Sequence, residues 1–168
     1  MIALLAAALL IVFAVMAERP EEEKRAAAYA VTEEEALAAV PATDSDDMSA
    51  LTRVFGARLP ALKNERVAGQ VRNGSFEGKT ARLATLRFDS LTVSAVRPAS
   101  AAPLLKPDGL DVVLADGASV LGMPALLFEG KGAYCLCFSD EAAAYSVYRE
   151  GGTREEFLLF AASLTSVR

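Results

Sequence analysis

The chain contains no histidine and no tryptophan, and only two cysteines in 168 residues. Without histidine there is no general base with an unperturbed pKa near neutrality. Every Ser-His and Cys-His nucleophile arrangement is excluded, and two cysteines alone cannot complete a Cys/His zinc site. Any enzymatic chemistry would rest on Cys, Lys, Tyr or carboxylates. The glycines are scattered at turns, without the pattern that cradles phosphate. Within residues 51–168 adjacent carboxylates occur only at Asp140-Glu141 and Glu155-Glu156, a turn and a helix start. Nothing in the sequence sets two of them across a cleft, as glycoside hydrolysis needs.

Charge is unevenly placed. Residues 1–50 carry three basic and ten acidic side chains, whereas 51–168 carry fourteen basic and twelve acidic. Between Arg53 and Arg87 eight basic residues face only Glu65 and Glu77. An acidic tether therefore leads into a domain whose first third is basic.

Residues 1–17 hold no charged side chain. As a helix they would be about 25 Å long, at the short end of a bilayer span. Two readings follow: a retained membrane anchor, or a signal peptide cleaved after Val15-Met16-Ala17. The lack of a positively charged leader favours the anchor. Arg19, Lys24 and Arg25 follow it, and by charge alone they would hold the C-terminal part in the cytoplasm. Residues 18–46 form the tether. Pro20 interrupts it, Thr32 and Glu35 have the spacing of a capping box, and Pro41 ends the helix that this box would start at Glu33.

The domain spans 47–168. Met48, Leu51 and Phe55 recur on one face of a helix expected over 47–55, capped by Ser45 or Asp46 and closed by Gly56 and Pro60. From there the period is that of strands. Val67–Ser75, Thr80–Asp89 and Leu91–Arg97 are expected strands, the last two forming an antiparallel hairpin. Residues 98–107 read as a loop. Leu110–Leu114 and Ser119–Leu121 are expected to pair across Asp116-Gly117. Residues 122–164 then supply strands ending in Phe128, Ser139 and Arg149, and a helix from Thr153 to Leu164. Thr153 and Glu156 form its capping box, and Phe157, Phe160, Ala161 and Leu164 form an apolar stripe. The expected fold class is α+β: an antiparallel sheet of six to eight strands with the C-terminal helix packed on one face.

Cys135 and Cys137 lie two apart on a strand and so share a face. They read as small core residues. A metal would need two further ligands, and a Cys-x-Cys disulfide within a strand would be strained. No metal and no cofactor is expected. Two places are expected to offer an interaction surface: the basic residues Arg66, Arg72, Lys79, Arg82 and Arg87, or the polar edge Tyr145, Tyr148 and Arg149.

Three stretches carry a family resemblance: Phe55-Gly-Ala-Arg-Leu-Pro60, Val120-Leu-Gly-Met-Pro124, and Ala144-Tyr-Ser-Val-Tyr148 followed by Thr153-Arg-Glu-Glu-Phe157 and the rest of the helix. On these the region from Asp47 to Leu164 resembles a bacterial domain of unknown function. That domain is found at the extracytoplasmic C-termini of membrane-anchored anti-sigma-factor-like and sporulation-associated proteins. The resemblance implies an outward-facing, non-enzymatic binding domain, against the charge rule. The expectation is a single-pass membrane protein with a sensing or interaction domain, a protein partner in the envelope, and no nucleic acid. The alternative is a secreted carrier holding an apolar ligand between sheet and helix. A deep apolar cavity would favour the carrier, and a filled core with an exposed patch the interaction module.

Overall fold

The computed structural model describes residues 43–167 apart from 77, 103–104 and 114–117. The expected anchor, and the tether up to residue 42, lie outside them. Among the described residues no helix is long and apolar enough to cross a membrane.

The chain begins with β1 (Thr43–Ser45) and α1 (Met48–Phe55). Asp47, not Ser45 or Asp46, caps α1, its Oδ1 accepting from Ser49 N at 2.9 Å. Ser45 instead accepts from Asp47 N. Gly56 closes the helix at φ +78°, its N–H donating to Thr52 O, a left-handed position that glycine takes without strain. The strands β2 (Leu59–Leu62), β3 (Ala68–Phe76), β4 (Lys79–Arg87) and β5 (Thr92–Arg97) follow. Next come β6 (Asp111–Val113), β7 (Ser119–Val120), β8 (Met123–Pro124), β9 (Leu126–Gly130), β10 (Ala133–Ser139) and β11 (Ala144–Glu150). Helix α2 (Arg154–Ala162) and β12 (Leu164–Val167) end the fold.

Eight strands form one antiparallel sheet in the order β1-β3-β4-β5-β11-β10-β9-β6. Its first strand lies within the stretch expected to be tether. The fold is α+β, with the C-terminal helix against the sheet, as the patterning indicates.

Alternation sorts the side chains. Val71, Ala84, Ala95, Tyr145 and Phe138 stand in one cross-strand row, and Leu86, Val93, Val147, Leu136 and Leu127 in the next. Leu51 and Phe55 of α1, Phe157 and Ala161 of α2, and Leu59 and Leu164 of the β2–β12 ribbon pack with them into one core. Phe157 stacks on Tyr134 with ring centroids 5.7 Å apart. Gly69 lets α1 approach, since a Cβ there would collide with Leu51 Cδ1.

The opposite face carries Cys135, Cys137, Phe128, Ala81, Val96 and Ala144, covered in part by Ala101, Ala102, Leu105 and Leu110 of the segment 98–110. A single 3-10 turn (Ala99–Ala101) is the only regular element among that segment's described residues.

Three expectations are corrected. Ser119–Val120 does not pair back onto β6. It pairs with Met123–Pro124 across Leu121-Gly122, both at positive φ, and β6 pairs with β9. The final helix ends at Ala162 rather than Leu164. Leu164 is buried, but it opens β12, which pairs with β2. Strand β2, expected only as the helix stop at Pro60, is buried along its whole length.

Candidate functional site

Of the eight candidate surface residues, Arg72 and Arg87 come together at the surface, whereas Arg82 and Tyr145 are buried. Arg72 and Arg87 are exposed on one face of the sheet, beside a hollow of about 710 Å³ that Gln70 and Thr85 also line. Asp44 and Asp46 stand at the same hollow and offset its charge. Arg66 is exposed ahead of β3, and Lys79 donates to Ser100 O at 2.8 Å.

Arg82 is 3% exposed and points to the other face. Its Nη1 donates to Val54 O at 2.7 Å and its Nε to Asn73 Oδ1 at 3.2 Å. It serves the carbonyl end of α1, where a cation satisfies acceptors the helix leaves open. Burial, and secondarily the neighbouring Arg97 charge, lower its pKa.

Tyr148 is half-buried opposite Cys135, and Arg149 lies under α2 with its guanidinium 4.6 Å from the Phe160 ring centroid. Tyr145 is 2% exposed, so its ring belongs to the core, where it stacks on Phe138 at 5.1 Å.

Only the hydroxyl of Tyr145 reaches a cleft. This cleft, of about 530 Å³, is bounded by Pro60 and Ser166 of the β2–β12 ribbon, by Leu121 and Met123 of the β7–β8 hairpin, and by Arg58, Asp140 and Glu141. The turn between β10 and β11 sets the carboxylates. Asp140 Oδ1 accepts from Ala142 N at 2.9 Å and from Ala143 N at 2.8 Å, a side-chain turn that fixes Asp140 and leaves Glu141 exposed. Tyr145 Oη lies 3.1 Å from Arg58 O and 3.2 Å from Asp140 Oδ2. A phenol has one proton to donate. Two acceptors therefore share one donor at the floor of the cleft. Burial first, then the Asp140 charge, raise the Tyr145 pKa, so the hydroxyl stays protonated in the ordinary pH range. At the mouth, the Arg58 guanidinium and the Glu141 carboxylate are both exposed and have no ion-pair partner among the described residues.

Comparison with protein-family models, curated proteins and solved structures finds no match to this chain. The site offers unshared acceptor capacity at its floor, one cation and one carboxylate at its rim, and an apolar wall from Leu121, Met123 and Pro60. That suits recognition of a polar chain segment with an apolar neighbour.

No group of three or more Cys, Asp or Glu residues among the described residues is placed to hold a metal. Cys135 and Cys137 share a face as expected, are both buried and free, and lie with Sγ atoms 3.7 Å apart. Arg58 stands in the sequence only as one of the eight basic residues between Arg53 and Arg87, and Asp140 only as half of an acidic pair in a strand-to-strand turn, which reads as turn chemistry.

Proposed function

We propose that residues 43–167 form an extracytoplasmic, non-enzymatic binding module, held at the membrane by residues 1–17, that recognises a protein segment in the cleft at Tyr145. The observation that carries the reading is the Tyr145 hydroxyl, one donor between the Arg58 carbonyl and Asp140. A partner supplying an N–H or ammonium group there would satisfy the second acceptor. Glu141 and Arg58 would pair with its charges, and Met123 and Leu121 would take its apolar side chain.

The outward orientation rests on the family resemblance and the apolar N-terminal run. The space between sheet and helix is filled by Leu51, Phe55, Phe157, Leu136 and Val147, each at most 1% exposed. This packing weighs against a carrier with an apolar ligand inside.

Two experiments test the reading. Protease added to intact cells is expected to degrade the domain, and full protection would sink the outward orientation. A photo-crosslinking side chain at Ser166 or Ala142 is expected to capture a discrete partner that the same group at exposed Leu159 does not. Equal labelling from the two places would remove the cleft as the site.

A further inference from the structure

Cys135 and Cys137 face the same side of β10, where the fold leaves them unequal. Cys135 is fully buried, whereas Cys137 lines a cleft of about 290 Å³ together with Leu105, Pro124, Leu126 and Ser139. Leu126 is 50% exposed at that cleft, so its wall is open to solvent on one side. The Cys137 thiol donates to Leu105 O at 3.0 Å, and the Cys135 and Cys137 sulfurs are 3.7 Å apart. One thiol is thus within reach of a reagent entering the cleft, and the second lies directly behind it.

We propose that Cys135 and Cys137 form a reversible redox pair, oxidised by thiol–disulfide exchange with a small or protein disulfide that enters the cleft at Cys137. In the first step the Cys137 thiolate attacks one sulfur of the incoming disulfide. An S–S bond forms to Cys137, the incoming S–S bond breaks, and one thiolate leaves. In the second step the Cys135 thiolate attacks Cys137 Sγ, closes the Cys135–Cys137 bond and expels the second thiolate. The two thiol protons go to the two leaving groups, so the protein loses two electrons and two protons and the reagent gains them.

Two further facts support this division of roles. The Cys135 thiol, hydrogen-bonded to Cys137 sulfur, lowers the Cys137 pKa against the opposing effect of burial, and the Lys106 charge lowers it too. The same hydrogen bond, followed by burial, raises the pKa of Cys135. The more readily ionised thiol is therefore the one at the cleft, as attack requires.

Residues two apart on a strand have Cα atoms about 6.4–6.8 Å apart, the outer edge of what a disulfide tolerates. The ring would be strained, and strained disulfides are the labile, easily reduced ones. Oxidation also removes the Leu105 carbonyl's donor, which ties the 98–110 segment to the sheet.

The test uses the full reduced chain, folded and in detergent, exposed to glutathione disulfide, then acid-quenched, alkylated and mapped by mass spectrometry. Wild type is expected to lose two hydrogens reversibly, with any transient glutathione adduct on Cys137. Cys135→Ser is expected to keep one glutathione on Cys137, and Cys137→Ser to react at least about tenfold more slowly. The proposal is overturned if folded wild type stays fully reduced while the denatured chain reacts. It is equally overturned by an adduct on Cys135, by a stable adduct on wild-type Cys137, or by equal rates in the two variants. Where a variant fails to fold, the position and fate of the wild-type adduct decide.

Discussion

Arg82 reaches across from β4 and donates its Nη1 to the Val54 carbonyl at 2.7 Å, so a strand side chain 28 residues away finishes the last turn of α1. Substituting it leaves the acceptors Val54 O and Asn73 Oδ1 without the donor that the buried Arg82 supplies. Arg82→Ala is expected to cost about 2–4 kcal/mol in denaturant unfolding, because hydrogen bonds to a buried charge are among the stronger ones. Arg82→Lys should recover only part of this, since an ammonium cannot reproduce the forked geometry. Equal stability of the alanine variant and wild type would show that the contact contributes nothing.

Tyr145 links stability to alkaline pH. Its folded pKa is raised above the unfolded value of about 10. The folded state therefore holds the phenolic proton more tightly than the unfolded chain does. The associated stability is complete below pH about 10 and falls as pH rises through the folded pKa. Tyr145→Phe is expected to lose about 1 kcal/mol at neutral pH through the missing hydrogen bond. It should also lack this component of the alkaline decline, so the two chains converge in high-pH melts.

Two glycines should respond differently to alanine. At Gly69 a methyl would strike Leu51 and press Leu86 from 3.1 Å, forcing the α1 contact to repack. Overpacking of this kind costs about 1–3 kcal/mol. At Gly78 nothing lies within 4 Å, and only the φ of +80° resists a side chain, at about 1–2 kcal/mol. Thermal melts of the pair distinguish the causes. A Leu51→Ala background should relieve Gly69→Ala and leave Gly78→Ala unchanged.

The start of α2 separates a cap from an ion pair. Thr153 Oγ1 accepts from Glu156 N, and Glu156 Oε2 accepts from Thr153 N in return. Thr153→Ala is expected to cost about 1 kcal/mol at any ionic strength. Arg154 forms a two-pronged pair with Glu129 at the surface. Arg154→Gln should have a smaller effect that disappears in high salt. A salt-independent loss at Arg154 would contradict this.

What the sequence disclosed follows the range of the forces. The Thr153–Glu156 box, the Gly56 stop and the β4–β5 hairpin are local and were legible. Leu164 was not, because an apolar residue seven after Phe157 fits a helix stripe as well as a strand start. The β7–β8 turn was hidden because Leu121 takes a positive φ, a position where Asn or Gly would have announced it. Arg82 looked like a surface charge, and only the position of the α1 carbonyls explains its burial. The cleft needed three distant segments, around Arg58, Leu121 and Asp140, and their meeting has no local signature.

The β2–β12 ribbon has a consequence for timing. Thr165 Oγ1 bonds the Ala61 carbonyl, its partner 104 positions earlier. As the chain is made, β2 emerges as a buried-type apolar strand whose sheet partner β12 does not yet exist. At about 5–20 residues per second the wait is on the order of ten seconds. During it the stretch 59–62 must be shielded by a chaperone or by provisional collapse onto the growing sheet, and the domain locks only when its last strand arrives.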